Sequence, residues 1–125
     1  MEIPRITASY CLFLAMQTTV SEALDQLGPA GVKLFEKVME HGTMSVEIYR
    51  PINTDLQTPH RQDELYVVIN GTGEFLNDGK RTAFKPGDVL FVPAGVEHRF
   101  ENFTDDFLTW VIFYGPQGGE KSLIR

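Results

Sequence analysis

From Glu64 onward the chain is a succession of short apolar runs, each closed by turn chemistry, and no other feature constrains the fold as tightly. "ELYVVIN" stops at Gly71-Thr72-Gly73, "GEFLN" meets Asp78-Gly79, and "KRTAF" ends at Pro86-Gly87-Asp88. "VLFV" then ends at Pro93-Ala94-Gly95, and "EHRFEN" and "FLTWVIFY" follow. Runs of about four to eight residues, rich in β-branched and aromatic side chains, are strand-length and too short for packed helices. Asp78-Gly79 is the residue pair of a two-residue hairpin, which needs positive φ at both central positions. Upstream, "TMSVEIYR" alternates Met44, Val46 and Ile48 against Ser45, Glu47 and Tyr49, the pattern of a half-buried strand. Alternation alone does not say which of the two sets faces the interior. "VKLFEKVME" suits helix or strand, and Gly42 behind it favours a hairpin. Helical spacing is confined to Val20, Ala23, Leu24 and Leu27, with Thr19 or Ser21 as cap and Gly28-Pro29 as stop. Some eight strands and one short helix make an all-β barrel or sandwich.

With 125 residues the chain is the size of one domain and can bury a core without staples. A net charge of −6, with basic residues scattered, gives no footprint for nucleic acid and no attraction to an anionic membrane. Cys11 is the sole cysteine, which excludes an internal disulfide and a multi-cysteine zinc site and points to a cytoplasmic protein. "YCLFLAM", Tyr10 to Met16, is far too short to span a bilayer. Arg5 ahead of it suits a signal peptide, while Glu2 and the lack of a small-residue cleavage site count against one. Met16 is an alternative start. Residues 1–19 are therefore expected to be a leader or arm outside the core. The helix and a connecting strand occupy 20–42 and the barrel 43–114. The Gly-rich, charged segment 115–125 is expected to be loose.

His60 and Glu64 open a run that otherwise reads as core. Four apart on a strand, they share a face with Thr58, Gln62, Tyr66 and Val68. On a straight strand their α-carbons stand about 13 Å apart. To hold one ion at bonds of about 2 Å, the chain must curl near Gln62-Asp63. His98 must then arrive from a neighbouring strand. Taken singly, each residue has a plain structural reading: a hydrogen-bonded core histidine, a solvated glutamate at a strand end. Asp63, on the opposite face from Glu64, is expected to face solvent, and His41 to sit in a turn.

"GDVLFVPAGVEHRFEN", Gly87 to Asn102, matches G-x5-P-x-G-x2-H-x3-N at every position, and so resembles the second signature motif of the cupin family. The first motif, G-x5-H-x-H-x3-4-E-x6-G, is met at His60, Glu64 and Gly71, with Ile52 in place of its first glycine and Thr58 in place of its first histidine. The resemblance runs from about Thr43 to Tyr114, and the wider pattern is similar to that of small bacterial single-domain cupins. It implies a double-stranded β-helix, the jelly-roll cupin barrel, with one divalent metal ion held by histidines and a glutamate. Carried onto this chain, the ligands are His60, Glu64 and His98, since a threonine hydroxyl at Thr58 binds metal weakly. Two histidines and a carboxylate suit Fe(II) and also catalytic zinc, and the set does not choose among Fe, Mn, Ni and Zn. Gln62 is a candidate weak fourth ligand or holder of a water. Tyr66 is a candidate hydrogen-bond donor or proton carrier at the metal. Phe91, Phe100, Trp110 and Phe113 would line an apolar pocket for a small organic molecule. The resemblance also implies a homodimer. It leaves three functional readings: a metal-dependent dioxygenase, isomerase or lyase, a non-catalytic small-molecule-binding barrel with an eroded site, or a purely structural histidine network.

Overall fold

The structure is a computed structural model and describes residues 16–121; the segment before Met16, with Cys11, and the last four residues lie outside the described residues. The helix forms where the spacing places it, α1 at Val20–Leu27. Thr19 is its cap: the Thr19 hydroxyl accepts from the Glu22 N–H, and the Glu22 carboxylate accepts from the Thr19 N–H. Gly28 ends it at φ +83°.

Eight strands follow. They are β1 (Phe35–His41), β2 (Met44–Tyr49), β3 (Asp63–Asn70), β4 (Gly73–Asn77), β5 (Lys80–Phe84), β6 (Val89–Val92), β7 (His98–Glu101) and β8 (Leu108–Tyr114). The ambiguous "VKLFEKVME" segment is mostly strand, paired with β2 as the arm of a hairpin turning at Gly42. One sheet runs β1-β2-β8-β3-β6 and the other β5-β4-β7, all pairs antiparallel. Asp78 and Gly79 join β4 to β5 with φ of +54° and +82°, the backbone that an Asp-Gly hairpin requires.

Both faces of the five-stranded sheet are covered, which answers the question left by the alternation of β2. Tyr49 joins Tyr66, Val68, Phe75, Phe84, Val92, Phe100, Phe107 and Val111 in the core between the two sheets. Ile48 and Val46 face the other way, onto Ala23 and Leu27 of α1 together with Val38 and Leu108. The described residues form an all-β barrel of two antiparallel sheets, with the one short helix among them packed outside.

Two expectations change. Asp63 does not face solvent: it is 5% exposed, and its carboxylate accepts from the N–H groups of Ala94 and Glu120, both at 2.9 Å. The opposite face of a strand is dry here because the Pro93–Gly95 turn and the chain after β8 close over it. The Gly-rich segment expected to be loose is correspondingly tied down as far as Glu120, with the Gly118 N–H donating to the Arg61 carbonyl at 2.7 Å.

Candidate metal centre

Three separate elements deliver the histidines and the glutamate. His60 lies in the loop before β3, and its carbonyl accepts from the Gly95 N–H at 2.7 Å. Glu64 is the second residue of β3, paired with Val92 on β6 and Phe113 on β8. His98 opens β7 in the opposite sheet, paired with Asn77. The curl that the spacing requires is present, because β3 starts only at Asp63 and Arg61-Gln62 form a bend. Gln62 helps hold that bend: its amide nitrogen donates to the carbonyls of Thr43 and Gly115, both at 2.9 Å. It is thereby placed on the flank of the barrel and not among the three converging side chains.

The convergence is close. One donor atom from each of His60, Glu64 and His98 lies within 4.8 Å of the other two. His98 Nε2 stands 3.0 Å and His60 Nε2 3.9 Å from Glu64 Oε1, and the two imidazole centres are 5.3 Å apart. Phe113 meets the His60 ring edge-on at 4.9 Å. His98 Nδ1 is 2.8 Å from the Val96 carbonyl, which can only accept, so Nδ1 carries a proton. With Nδ1 protonated, the neutral ring offers its Nε2 lone pair to a cation, while the imidazolium offers an N–H toward the Glu64 carboxylate 3.0 Å away. Both Glu64 oxygens and His98 Nε2 are buried without a hydrogen-bond partner, the 3.0 Å approach lacking the alignment of a hydrogen bond. An uncompensated buried carboxylate costs several kcal/mol. Three orphaned acceptors aimed at one point need a proton or a cation between them, and a divalent ion fits that donor set.

The surroundings set the protonation states. Burial lowers His60, against the opposing pull of Glu64, which keeps its imidazole available as a neutral donor. Burial alone would lower His98 too, but Glu64 and the Val96 carbonyl outweigh it and hold it above the usual histidine range. Burial, reinforced by Glu64, pushes Tyr66 far above an ordinary phenol. Tyr66 therefore keeps its proton, which it donates to Gln57 Oε1 at 3.1 Å.

A cavity of about 250 Å³ opens above His60, lined by Phe35, Glu47, Tyr49, Gln57, Val111 and Phe113. Of the four aromatic residues expected to line a pocket, Phe113 does so. Phe100 is core beneath Tyr66, while Phe91 is 46% exposed on β6 and Trp110 packs toward α1. A wider groove of about 590 Å³ meets His60 from the other side, between Pro59, Arg61, Ala94 and Gln117, and like the smaller cavity it is lined by His60 but by neither Glu64 nor His98. Glu47 stands at the cavity wall with its carboxyl raised, first by burial and further by Glu64, against the pull of Lys37.

Two residues that the spacing did not single out complete the floor. Asp55 is 2% exposed and accepts four hydrogen bonds: from the Tyr49 hydroxyl at 2.6 Å, the Phe100 N–H at 2.9 Å, and the Gln57 N–H and amide at 3.2 and 2.9 Å. Gln57 then presents Oε1 to Tyr66 and to His60 Nε2, each at 3.1 Å. Thr58, at the position of the motif's first histidine, is exposed. No pattern in the sequence marks Asp55. Gln57 had one signal, its place directly before the motif position that Thr58 fills.

Comparison with known proteins agrees with this geometry. The family model for the cupin domain matches residues 46–114, more than half of the chain. The chain is a cupin. An uncharacterised protein of Streptomyces coelicolor is 38% identical over 76 residues, covering 59% of this chain and 72% of that one. Queuine tRNA-ribosyltransferases of Streptococcus pneumoniae are 30% identical over 83 residues, 63% of this chain, which spans only 20% of their length. Among solved structures, a Cupin 2 conserved barrel domain protein of Salinispora arenicola superposes with a TM-score of 0.61 at 23% identity, over 81% of this cupin and 90% of that chain, a likeness of fold. Among the described residues no helix is long and apolar enough to cross a membrane.

Proposed function

We propose that this cupin holds one divalent metal ion on His60, Glu64 and His98 and binds beside it a small organic molecule carrying oxygen donors. One observation carries the reading: Glu64 Oε1, Glu64 Oε2 and His98 Nε2 are buried, unpaired and aimed together. When bound, the ion would supply Lewis acidity to an oxygen of that molecule, or dioxygen activation if it is iron.

The chain's own residues would do the rest. The Val96 carbonyl fixes His98 in the tautomer that offers Nε2. Phe113 and Val111 make the cavity wall beside His60 apolar. Glu47, whose carboxyl is raised by burial, is placed to take or give a proton at the cavity. A proton-transfer reaction of isomerase or lyase type is the class that this residue suits, with dioxygenation the class implied by iron. The small cavity suits a compact substrate. A second reading, a non-catalytic small-molecule-binding cupin, is favoured by the exposure of Thr58, which leaves the set one imidazole short of the motif.

The reading includes a cytoplasmic homodimer. Edge strand β6 pairs on one side with β3 and leaves Val89 and Phe91 61% and 46% exposed, an apolar strip that a second copy would cover. Light scattering of the eluted protein that gives only the monomer mass removes this part.

The deciding experiment is elemental analysis of protein purified without an affinity tag, beside a His60→Ala/His98→Ala double variant. About one ion per chain, lost in the variant, is the expected result. A wild type that carries no metal and takes up none of Fe, Mn, Ni or Zn refutes the metal site and leaves the ligand-binding barrel.

A further inference from the structure

We propose that Gln57 supplies a fourth ligand, through its amide oxygen, to the ion held by His60, Glu64 and His98. The inference rests on the metal reading above. It begins with which end of the amide faces the site. Gln57 Nε2 is 2.9 Å from Asp55 Oδ2, a carboxylate that accepts from every partner it has. An amide turned the other way would set its carbonyl against that carboxylate, so Asp55 locks Oε1 toward the cavity.

An amide oxygen has two acceptor sites. The Tyr66 hydroxyl occupies one at 3.1 Å, and the other faces His60 Nε2, also at 3.1 Å. That second contact has two exclusive meanings. If His60 Nε2 carries a proton, Gln57 accepts it and Nε2 is not a ligand atom. If His60 ligates through Nε2, the proton is gone and the second acceptor site of Gln57 Oε1 is open to an ion in the same place. The spacing suits a shared ion. Two donors about 2.1 Å from one ion and at a right angle stand about 3.0 Å apart, close to the 3.1 Å between Gln57 Oε1 and His60 Nε2 and the 3.0 Å between His98 Nε2 and Glu64 Oε1.

Gln57 also stands where the set is short. Thr58 points to solvent while Gln57, one residue earlier, lines the cavity. The inward position of this loop has shifted by one residue, and it carries a neutral oxygen donor in place of an imidazole.

The test is a crystal structure of the wild-type protein loaded with Ni²⁺, the ion located by its anomalous signal, together with calorimetric titration of Ni²⁺ into wild type and Gln57→Met. Gln57 Oε1 within about 2.4 Å of the nickel, and affinity lowered about tenfold or more in Gln57→Met, are the expected results. Nickel bound by His60, Glu64 and His98 with Gln57 Oε1 beyond about 3.5 Å, or with unchanged affinity in the variant, overturns the assignment and leaves the metal site standing. Absence of nickel from the wild-type cluster overturns both. The wild-type structure decides even if Gln57→Met folds poorly, which circular dichroism reports.

Discussion

Asp55→Ala should be the most damaging single substitution beneath the site. The carboxylate is buried and receives four donors. Two belong to Gln57, which is only half-buried, so water can reach them once Asp55 is gone. The other two, the Tyr49 hydroxyl and the Phe100 N–H, are buried among core aromatics and would be orphaned. Each buried donor left without a partner costs about 1–3 kcal/mol, so the loss should be about 4 kcal/mol. That is a large share of the 5–15 kcal/mol typical of a domain, and at about 4 °C per kcal/mol it lowers Tm by roughly 15 °C. Urea unfolding followed by the fluorescence of Trp110, the sole tryptophan, measures it. A double-mutant cycle with Tyr49→Phe isolates the 2.6 Å bond: removing the hydroxyl should cost about 1.5–3 kcal/mol in the wild type, and nothing or a gain once Asp55 is absent. A loss below 1 kcal/mol for Asp55→Ala, or equal Tyr49→Phe costs in the two backgrounds, would refute the reasoning.

Glu64→Gln should raise the Tm of the metal-free protein, since it removes a buried charge with no hydrogen-bond partner, and should abolish the Tm gain given by Ni²⁺; with the ion at a hundred times its Kd that gain is about 2.7 kcal/mol, read by calorimetry. Gly71→Ala should cost about 2–4 kcal/mol in urea unfolding, because Gly71 has φ +90° and an added Cβ would meet Phe107 Cα at 2.6 Å. Glu47 has a folded-state carboxyl raised above its unfolded value, so the folded state binds more protons and stability falls as pH rises through the folded value. Glu47→Gln should accordingly be more stable than wild type near pH 8 and lose that advantage below about pH 4.5, which melts across that range would show.

The strands were legible because their turns are written in residues with one conformational use, such as Asp78-Gly79, and because the runs between are too short for helices. The site was legible only where spacing carries information. His60, Glu64 and His98 sit at motif distances, and the curl they require follows from simple strand length. Asp55 was not legible, since an acid in a loop before a buried strand is ordinarily solvated, and only the fold of residues 50–62 over the barrel buries it beside Tyr49. Asp63 misled for a related reason. Alternation predicts two faces but not that the Pro93–Gly95 turn and the chain beyond β8 supply N–H donors to the second one. Long-range closure of this kind leaves no local mark.

That closure also explains why the interior of this cupin tolerates so much unpaired polarity. Elsewhere its buried carboxylates are satisfied: Asp55 takes four donors and Asp63 two, all neutral and largely backbone or amide. Glu64 alone among them receives no aligned hydrogen bond, with His98 Nε2 3.0 Å from its Oε1. The Tyr66 hydroxyl gives its proton to Gln57, and His98 gives its Nδ1 proton to a carbonyl. The acceptors left facing inward, both Glu64 oxygens and His98 Nε2, have no aligned hydrogen bond. These nitrogen and oxygen atoms converge where a cation, or the second proton of a His98 imidazolium, satisfies them.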